Sequence, residues 1–466
     1  RSTKSKIAMT LILVIVLIIG CVLIATEKIS HINKAAVAMF AGTLCWLLYL
    51  IYGSSYVTSE HALAFSEFVN GRPATKDLVR EFIANSVFMR YVADACELVL
   101  YLLATMTIVE VLSNNGCFDF LSEWLRTRNC RRLLWLSAGI TFVLSANLDN
   151  LTTACLMLTA IHTLVANRRQ RMIFGAMVVV AANCGGAFTV IGDMTSLSLW
   201  VKGVITPTHY SGMLFLPCLT ATLVTGLLMM RHLPVRLELA QTAPRYRGDD
   251  TVLNRTQRLL MLLVGIGGLW FIPTFHRLTE LPPFVGALCV LSLLWIIHEL
   301  CNRKLLKSEQ MASRKRLPLA LQYAHIQTIL FILGVTMAIG AVQETGALRE
   351  VAEWCTVHVP NIYVIGIFMG LLSMWLDGIV VMLANVSTFA LPSQTSLDGY
   401  LQSFATDGSY CTAWGGSLLT IGSMAGYALL RMENVSLTWY LRFVTGKVLV
   451  GGLCGLIVFA IMAEYL

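Results

Sequence analysis

The sequence predicts an all-α polytopic membrane protein made of two inverted-topology repeats. Each repeat carries a re-entrant hairpin and a broken transmembrane helix. Three observations predict this. The 466 residues are 57% hydrophobic and 13% charged, against about 25% charged in soluble domains, and the mean hydropathy is +0.72. Residues 7–26, 35–52, 213–230 and 281–297 are apolar runs, each near the roughly 20 residues that cross a bilayer as a helix. Finally, sliding the sequence by 230 residues aligns Gly116 with Gly346 and Glu123-Trp124 with Glu353-Trp354. The same offset aligns Gly185-Gly186 with Gly415-Gly416, Ile191-Gly192 with Ile421-Gly422, and Met194 with Met424. A slip of two aligns Ser145 with Ser373 and Leu148-Asp149 with Leu376-Asp377. Matches that cluster at one offset signal an internal repeat.

The net charge of +8 sits in short loops between apolar runs, where basic residues set membrane orientation. No nucleic-acid partner is expected. The thirteen cysteines are scattered singly, without a CxxC or Cys/His cluster, and read as small buried residues. The chain starts at Arg1 rather than Met; a removed signal peptide or a lost first helix would both fit.

Residues 7–26 and 35–52 read as two spans. Residues 53–90 are the least hydrophobic stretch of the first half and read as a surface segment, with a helix from about Lys76. A span follows at 93–112, then an amphipathic piece at 118–126 lying at the interface. Arg126, Arg128, Arg131 and Arg132 form one basic cluster and Arg168, Arg169 and Arg171 another. The positive-inside rule puts both in the cytoplasm. One helix cannot start and finish on the same side, so the intervening stretch is predicted as a hairpin with Ser145–Asn150 near its tip. Non-helical backbone at that depth needs cover from protein or a watery cavity. Residues 172–201 cross outward and are interrupted at 183–193, where Gly185, Gly186 and Gly192 would weaken a helix. Residues 213–230 return. The linker 231–258 carries six Arg and no Lys, and the loop 301–316 six Lys/Arg; both are predicted cytoplasmic. The span at 324–342 then runs outward, opposite to its partner at 93–112. No Lys or Arg occurs between Arg349 and Arg431, so the second hairpin, 362–391 around Ser373–Gly378, enters from outside. The resulting division is 1–92 as N-terminal scaffold, 93–231 as the first set of transport elements, 232–322 as linker, two scaffold spans and basic loop, and 323–466 as the second set.

Inverted repeats with broken helices meeting at the midplane are the architecture of secondary transporters. An ionisable residue at membrane depth is a functional-site hypothesis by default. A hard cation takes oxygen ligands. Ser145, Asn147, Asp149, Asn150 and Thr153 offer these from the first hairpin, Asn183, Thr189, Asp193 and Thr195 from the first broken span, and Asp377 from the second hairpin. Asp149 and Asp193 are the proton-carrying candidates, since sodium and protons competing for one carboxylate is the minimal requirement for antiport. The competing role for Asp149 and Asp193 is to cap the half-helices that follow them. His162 on the hairpin's return arm reads as a packed histidine or a pH sensor.

The run Ser-Ala-Asn-Leu-Asp-Asn-Leu-Thr-Thr at 145–153, with Gly-Gly-Ala-Phe-Thr-Val-Ile-Gly-Asp at 185–193, resembles the NhaD-type sodium/proton antiporters of the ion transporter superfamily. So do Gly415–Gly426 and Trp439-Tyr440-Leu441, and the resemblance covers residues 90–464. It implies the superfamily's fold, a homodimer in the cell's inner membrane, a mobile transport part moving elevator-fashion against a scaffold, and Na+ or Li+ exchanged for H+. It also implies cation ligands at Asp149, Asn150, Thr153, Asn183 and Asp193. One departure stands out: the family's second hairpin carries Asp-Asn, whereas this chain has Asp377-Gly378. Asn385, Ser387 and Ser417 are the nearby candidates for a replacement ligand. The alternative within the superfamily is a carrier of citrate, another dicarboxylate or arsenite. The extra Asp149 at the first tip argues against an anion. No HExxH, GxSxG or phosphate-binding loop appears, so no enzyme activity and no cofactor are predicted. The expected partners are the bilayer, a second copy of the chain, and sodium ions and protons as cargo.

Overall fold

The computed structural model describes residues 2–70, 73, 75–238, 253–301, 323–359, 361–389 and 398–465. Helices dominate these residues, and eight of them are long and apolar enough to cross a membrane. The spans predicted at the N-terminus, 213–230, 281–297 and 324–342 appear as Ser2–Ala25, Lys34–Tyr52, Pro207–Met230, Pro283–Cys301 and Tyr323–Gln343. Arg255–Thr279 supplies the other helix expected before 281–297. The basic loop 301–316, apart from Cys301, and residues 239–252 of the linker lie outside the described residues.

The chain forms two units. One holds residues 1–99, 323–361 and 383–397. Its centre is the pairing of Lys34–Tyr52 with Tyr323–Gln343, held close by facing small residues. A Cβ on Gly334 would lie 2.5 Å from the Ala38 backbone, and the Trp46 indole donates to the Met337 carbonyl at 2.9 Å. Residues 53–90 depart from the predicted surface segment. They form Ser54–Glu60, Ala62–Val69 and the start of a helix that runs unbroken from Lys76 to Asn114. Tyr56, Val57, Phe65, Val69 and Phe82 are buried in the unit's core. Apolar residues at helical spacing among charges bury one face, which average polarity hides.

The other unit holds residues 100–322, 362–382 and 398–466. Along the chain the element order repeats. Hairpin arms Cys130–Ser145 and Asn150–Leu164 answer to Ile362–Ser373 and Gly378–Phe389. The broken span Arg168–Ala187 and Met194–Val201 answers to Asp398–Gly415 and Met424–Glu433. Individual contacts repeat too. Ser145 Oγ donates to the Ala182 carbonyl at 2.6 Å and Ser373 Oγ to the Thr412 carbonyl at 2.9 Å. The Tyr210 hydroxyl donates to the Ala187 carbonyl and the Tyr440 hydroxyl to that of Ser417. Gly116 and Gly346, matched in sequence, both have positive φ, 69° and 76°, a region open to glycine at little cost.

The breaks fall at 188–193 and 416–423; the first, predicted at 183–193, begins five residues later than expected. Gly185 lies inside its helix. A Cβ there would stand 2.4 Å from the Phe142 carbonyl, and one on Gly415 would stand 2.1 Å from that of Gly370. These glycines let the hairpin arm touch the broken span backbone to backbone.

Candidate cation site

The first hairpin turns at 146–149, and Asp149 is the N-cap of the return arm. Its Oδ1 accepts the Thr152 amide at 2.9 Å and its Oδ2 accepts the Thr152 hydroxyl at 2.5 Å. Asp is a favoured N-cap, and its charge suits a helix N-terminus. The capping role and an ionic role therefore coexist here, because a carboxylate has about four lone-pair sites. Next along, Asn150 joins hairpin to broken span: its Nδ2 donates to Asp193 Oδ1 at 3.0 Å, and its Oδ1, 3.1 Å from Ser145 Oγ, shares that hydroxyl's one hydrogen with the Ala182 carbonyl.

In the broken span, Thr189 ties the break to the hairpin tip. Its hydroxyl donates to the Ala146 carbonyl at 2.6 Å and accepts the Gly192 amide at 3.0 Å. Asp193 then occupies the N-cap position of Met194–Val201, with its carboxylate in reach of the Thr195 hydroxyl and the first amides of that helix. Asn183 crosses to the second repeat. Its Nδ2 donates to Ser417 Oγ at 2.8 Å and to Ser423 Oγ at 2.9 Å. Since Ser417 itself donates to the Ala413 carbonyl, the amide must present its N–H groups to the serines. Asn183 Oδ1 is thereby left as a buried acceptor with no partner.

These elements enclose a cavity of about 40 Å³ whose wall includes Asp149, Asn150, Asn183, Asp193, Thr195 and Asp377. Six of the ten predicted ligands are thus brought together. The other four are not on the wall. Ser145 and Thr189 are engaged with backbone, Asn147 Nδ2 donates to the Val143 carbonyl at 3.0 Å, and Thr153 Oγ1 is buried without a partner. Ser417 holds Asn183 from behind the wall, and neither Asn385 nor Ser387 lines it. Thr412 and Ser423 do line it and were missed. Ser423 is one offset from Asp193 and precedes the matched Met424, so the repeat itself contained the signal.

The cavity has room for a cation with one or two waters, since a water needs roughly 10–15 Å³. Its wall holds three carboxylates and no basic side chain among the described residues. They do not converge as a resident metal centre would: no group of three His, Cys, Asp or Glu suited to a metal occurs among the described residues. Oxygens spread around a small space suit a hard ion that must also leave.

Residues 4–406 match the citrate transporter family, CitMHS. The chain belongs to that family. It is a multi-pass membrane transport protein, not an enzyme. Several of its relatives are named for cation exchange. It is 32% identical to sodium/proton antiporter 1 of Arabidopsis thaliana over 94% of this chain and 75% of that one. It is 30% identical to that plant's sodium/proton antiporter 2 over 95% and 97%. It is 28% identical to the Na(+)/H(+) antiporter NhaD of Vibrio cholerae over 88% and 83%. The resemblance to NhaD-type antiporters drawn from the hairpin and broken-span motifs agrees with these matches.

Proposed function

We propose that this transporter exchanges Na+, and also Li+, for H+ across the cell's inner membrane. The observation that carries the reading is the cavity: about 40 Å³, walled by Asp149, Asp193 and Asp377 together with amide and hydroxyl oxygens. Each carboxylate can hold a share of a cation or a proton, and like charges in one small space favour taking up one or the other. Competition for the same groups couples the two flows. The names of the antiporter relatives point the same way. The basic clusters at 126–132 and 168–171 support a cytoplasmic first hairpin, and the absence of Lys and Arg from 350–430 supports an outer second one. Such inverted repeats suit an elevator-type movement, in a homodimer that serves sodium and pH homeostasis.

The family's description favours a second reading, citrate or another dicarboxylate. The cavity argues against it. Pockets for organic ligands run to about 300–1,000 Å³, and three carboxylates repel an anion. The test is reconstitution in liposomes with a pH-sensitive dye, adding Na+, Li+, K+ or citrate in turn. Na+- or Li+-evoked proton flux is expected. Citrate uptake without any cation-evoked flux between mildly acidic and mildly alkaline pH would overturn the reading.

A further inference from the structure

Asp407 is a buried carboxylate that the cation cavity leaves out. It lies on Asp398–Gly415, fully buried. Its Oδ2 has no hydrogen-bond partner, and Oδ1 has only the Cys411 thiol at 3.9 Å. Among the described residues no cation pairs with it. Its surroundings make room for it. Gly366, on the facing hairpin arm Ile362–Ser373, leaves the space it occupies, since a Cβ there would stand 1.9 Å from Oδ2. The repeat sharpens the point. The two halves share contacts to the level of single hydrogen bonds, yet the position 230 residues earlier is Met177. One half thus has a thioether where the other has a carboxyl.

An unpaired carboxylate in a core loses hydration that nothing replaces. The group is stable there with its proton on, or ionised only when water or a cation reaches it. Two directions are open to such a proton. Five residues on, about 7.5 Å along the helix axis, Thr412 lines the cation cavity. The other way lies Tyr363, whose ring is within electrostatic reach of both Asp407 and Glu464. Glu464 is exposed at the end of the 29-residue helix Leu437–Tyr465. Arg442 and Lys447 lie near the start of that helix, which is long enough to place Glu464 on the opposite membrane face. The titratable groups facing Asp407 are Tyr363 from the hairpin arm and Tyr410 and Cys411 from its own helix; Cys184 and Cys218, from the helices packed behind, lie within reach of Tyr410.

We infer that Asp407 is a proton-carrying group outside the cation cavity, passing protons between the Glu464 face and the carboxylates of the cavity. The inference rests on the exchange reading. In the step itself, the Asp407 O–H bond breaks, a water on the cavity side accepts the proton, and a cavity carboxylate takes it as Na+ leaves. A proton from the Tyr363 side restores the O–H.

The test separates coupling from cation handling. Liposomes carrying wild type or Asp407→Asn are assayed for radioactive Na+/Na+ exchange, which needs no net proton movement, and for Na+-evoked proton flux. The expected result is proton flux reduced by roughly tenfold or more with Na+/Na+ exchange retained. Proton flux and its pH profile equal to wild type would overturn the inference while leaving the exchange reading intact. No proton flux in wild type would sink the exchange reading itself. If Asp407→Asn loses both activities, the wild-type protein decides. Dicyclohexylcarbodiimide, which attacks protonated carboxyls in apolar settings, should label the Asp407 peptide, with labelling falling as pH rises. A peptide unlabelled at every pH refutes the assignment.

Discussion

Replacing Asp193 by Asn separates an ionic role from a structural one. The two side chains have the same shape, and Asn caps a helix as well as Asp does. The bond from Asn150 Nδ2 to Asp193 Oδ1 at 3.0 Å survives if the new amide offers its oxygen to Asn150. What the substitution removes is one negative charge on the wall of a 40 Å³ cavity. A cation in so small a space stands roughly 4 Å from a wall carboxylate, worth about 4 kcal/mol at an effective dielectric of about 20. Part of that attraction is returned as dehydration. A net loss of about 2–4 kcal/mol corresponds to a rise of about 30- to 700-fold in the half-saturating Na+ concentration. Proton flux in liposomes over a range of Na+ measures it directly, with melting of the purified protein as the control for folding. An Asp193→Asn protein with wild-type melting and wild-type half-saturation would refute the reasoning. It would reduce Asp193 to the start of Met194–Val201.

Three further outcomes are expected. Asp149→Asn should keep its cap on Thr152 and lose Na+-evoked flux, whereas Asp149→Ala should also lower stability by about 1 kcal/mol, seen as a drop in melting temperature. Gly185→Ala and Gly415→Ala force a Cβ onto hairpin backbone and should each destabilise by about 1–3 kcal/mol; Gly139→Ala, with open space around it, should be neutral or stabilising by thermal denaturation. Glu344, just past the Ile326–Gln343 span, is buried, which raises its pKa, but bonds from His61 and Tyr91 and the charges of His61 and Arg90 bring it below the ordinary 4.5. The stability it contributes is present above 4.5 and is lost as pH falls through the lower folded value. Acid melting curves should show that loss in wild type and not in Glu344→Gln.

Most of the site was legible because membrane depth makes polarity conspicuous. In Asn147–Thr153 and Asn183–Asp193 each polar residue breaks an apolar run, and four of them meet at one cavity with Thr195 and Asp377. Which polar groups face the ion was not legible. Thr189 and Asn147 are chemically as good as Thr195 and Asn150, yet their bonds to the Ala146 and Val143 carbonyls tie them to backbone. A hairpin tip must satisfy its own backbone as well as its cargo, and sequence does not say which side chain serves which need. The Gly185-Gly186 pair misled in a related way. Glycine signals both a broken helix and a close approach. Here the approach to Phe142 comes first and the break begins at Phe188. Residues 53–90 were obscured for a simpler reason: their polar face outweighs a buried one in composition.

The repeat explains how one scaffold can carry a one-sided charge. Backbone-level contacts are matched between the halves: Ser145 with Ser373, Tyr210 with Tyr440, Gly185 with Gly415. Cargo-facing groups are not. Asn150 is answered by Gly378, Asn183 by Ala413, and Asp193 by Ser423, while only Asp149 finds its like in Asp377. Duplicating the full ligand set would put a fourth carboxylate into the same 40 Å³, and each added like charge makes full ionisation harder. The second half keeps one carboxylate and the Ser423 hydroxyl, and lends Ser417 and Ser423 to hold Asn183 in place. On this argument, restoring the family's residue with Gly378→Asn should not create a second site. It should crowd the existing one: a Cβ on Gly378 would sit in ordinary contact with Ser373 Oγ at 3.4 Å and Thr195 Oγ1 at 3.7 Å, and the amide beyond it would enter the cavity that Gly378 lines. Apparent Na+ affinity should fall rather than rise. A Gly378→Asn transporter that binds Na+ more tightly in equilibrium binding would show that the second half is an incomplete site, and not the counter-wall that its contacts describe.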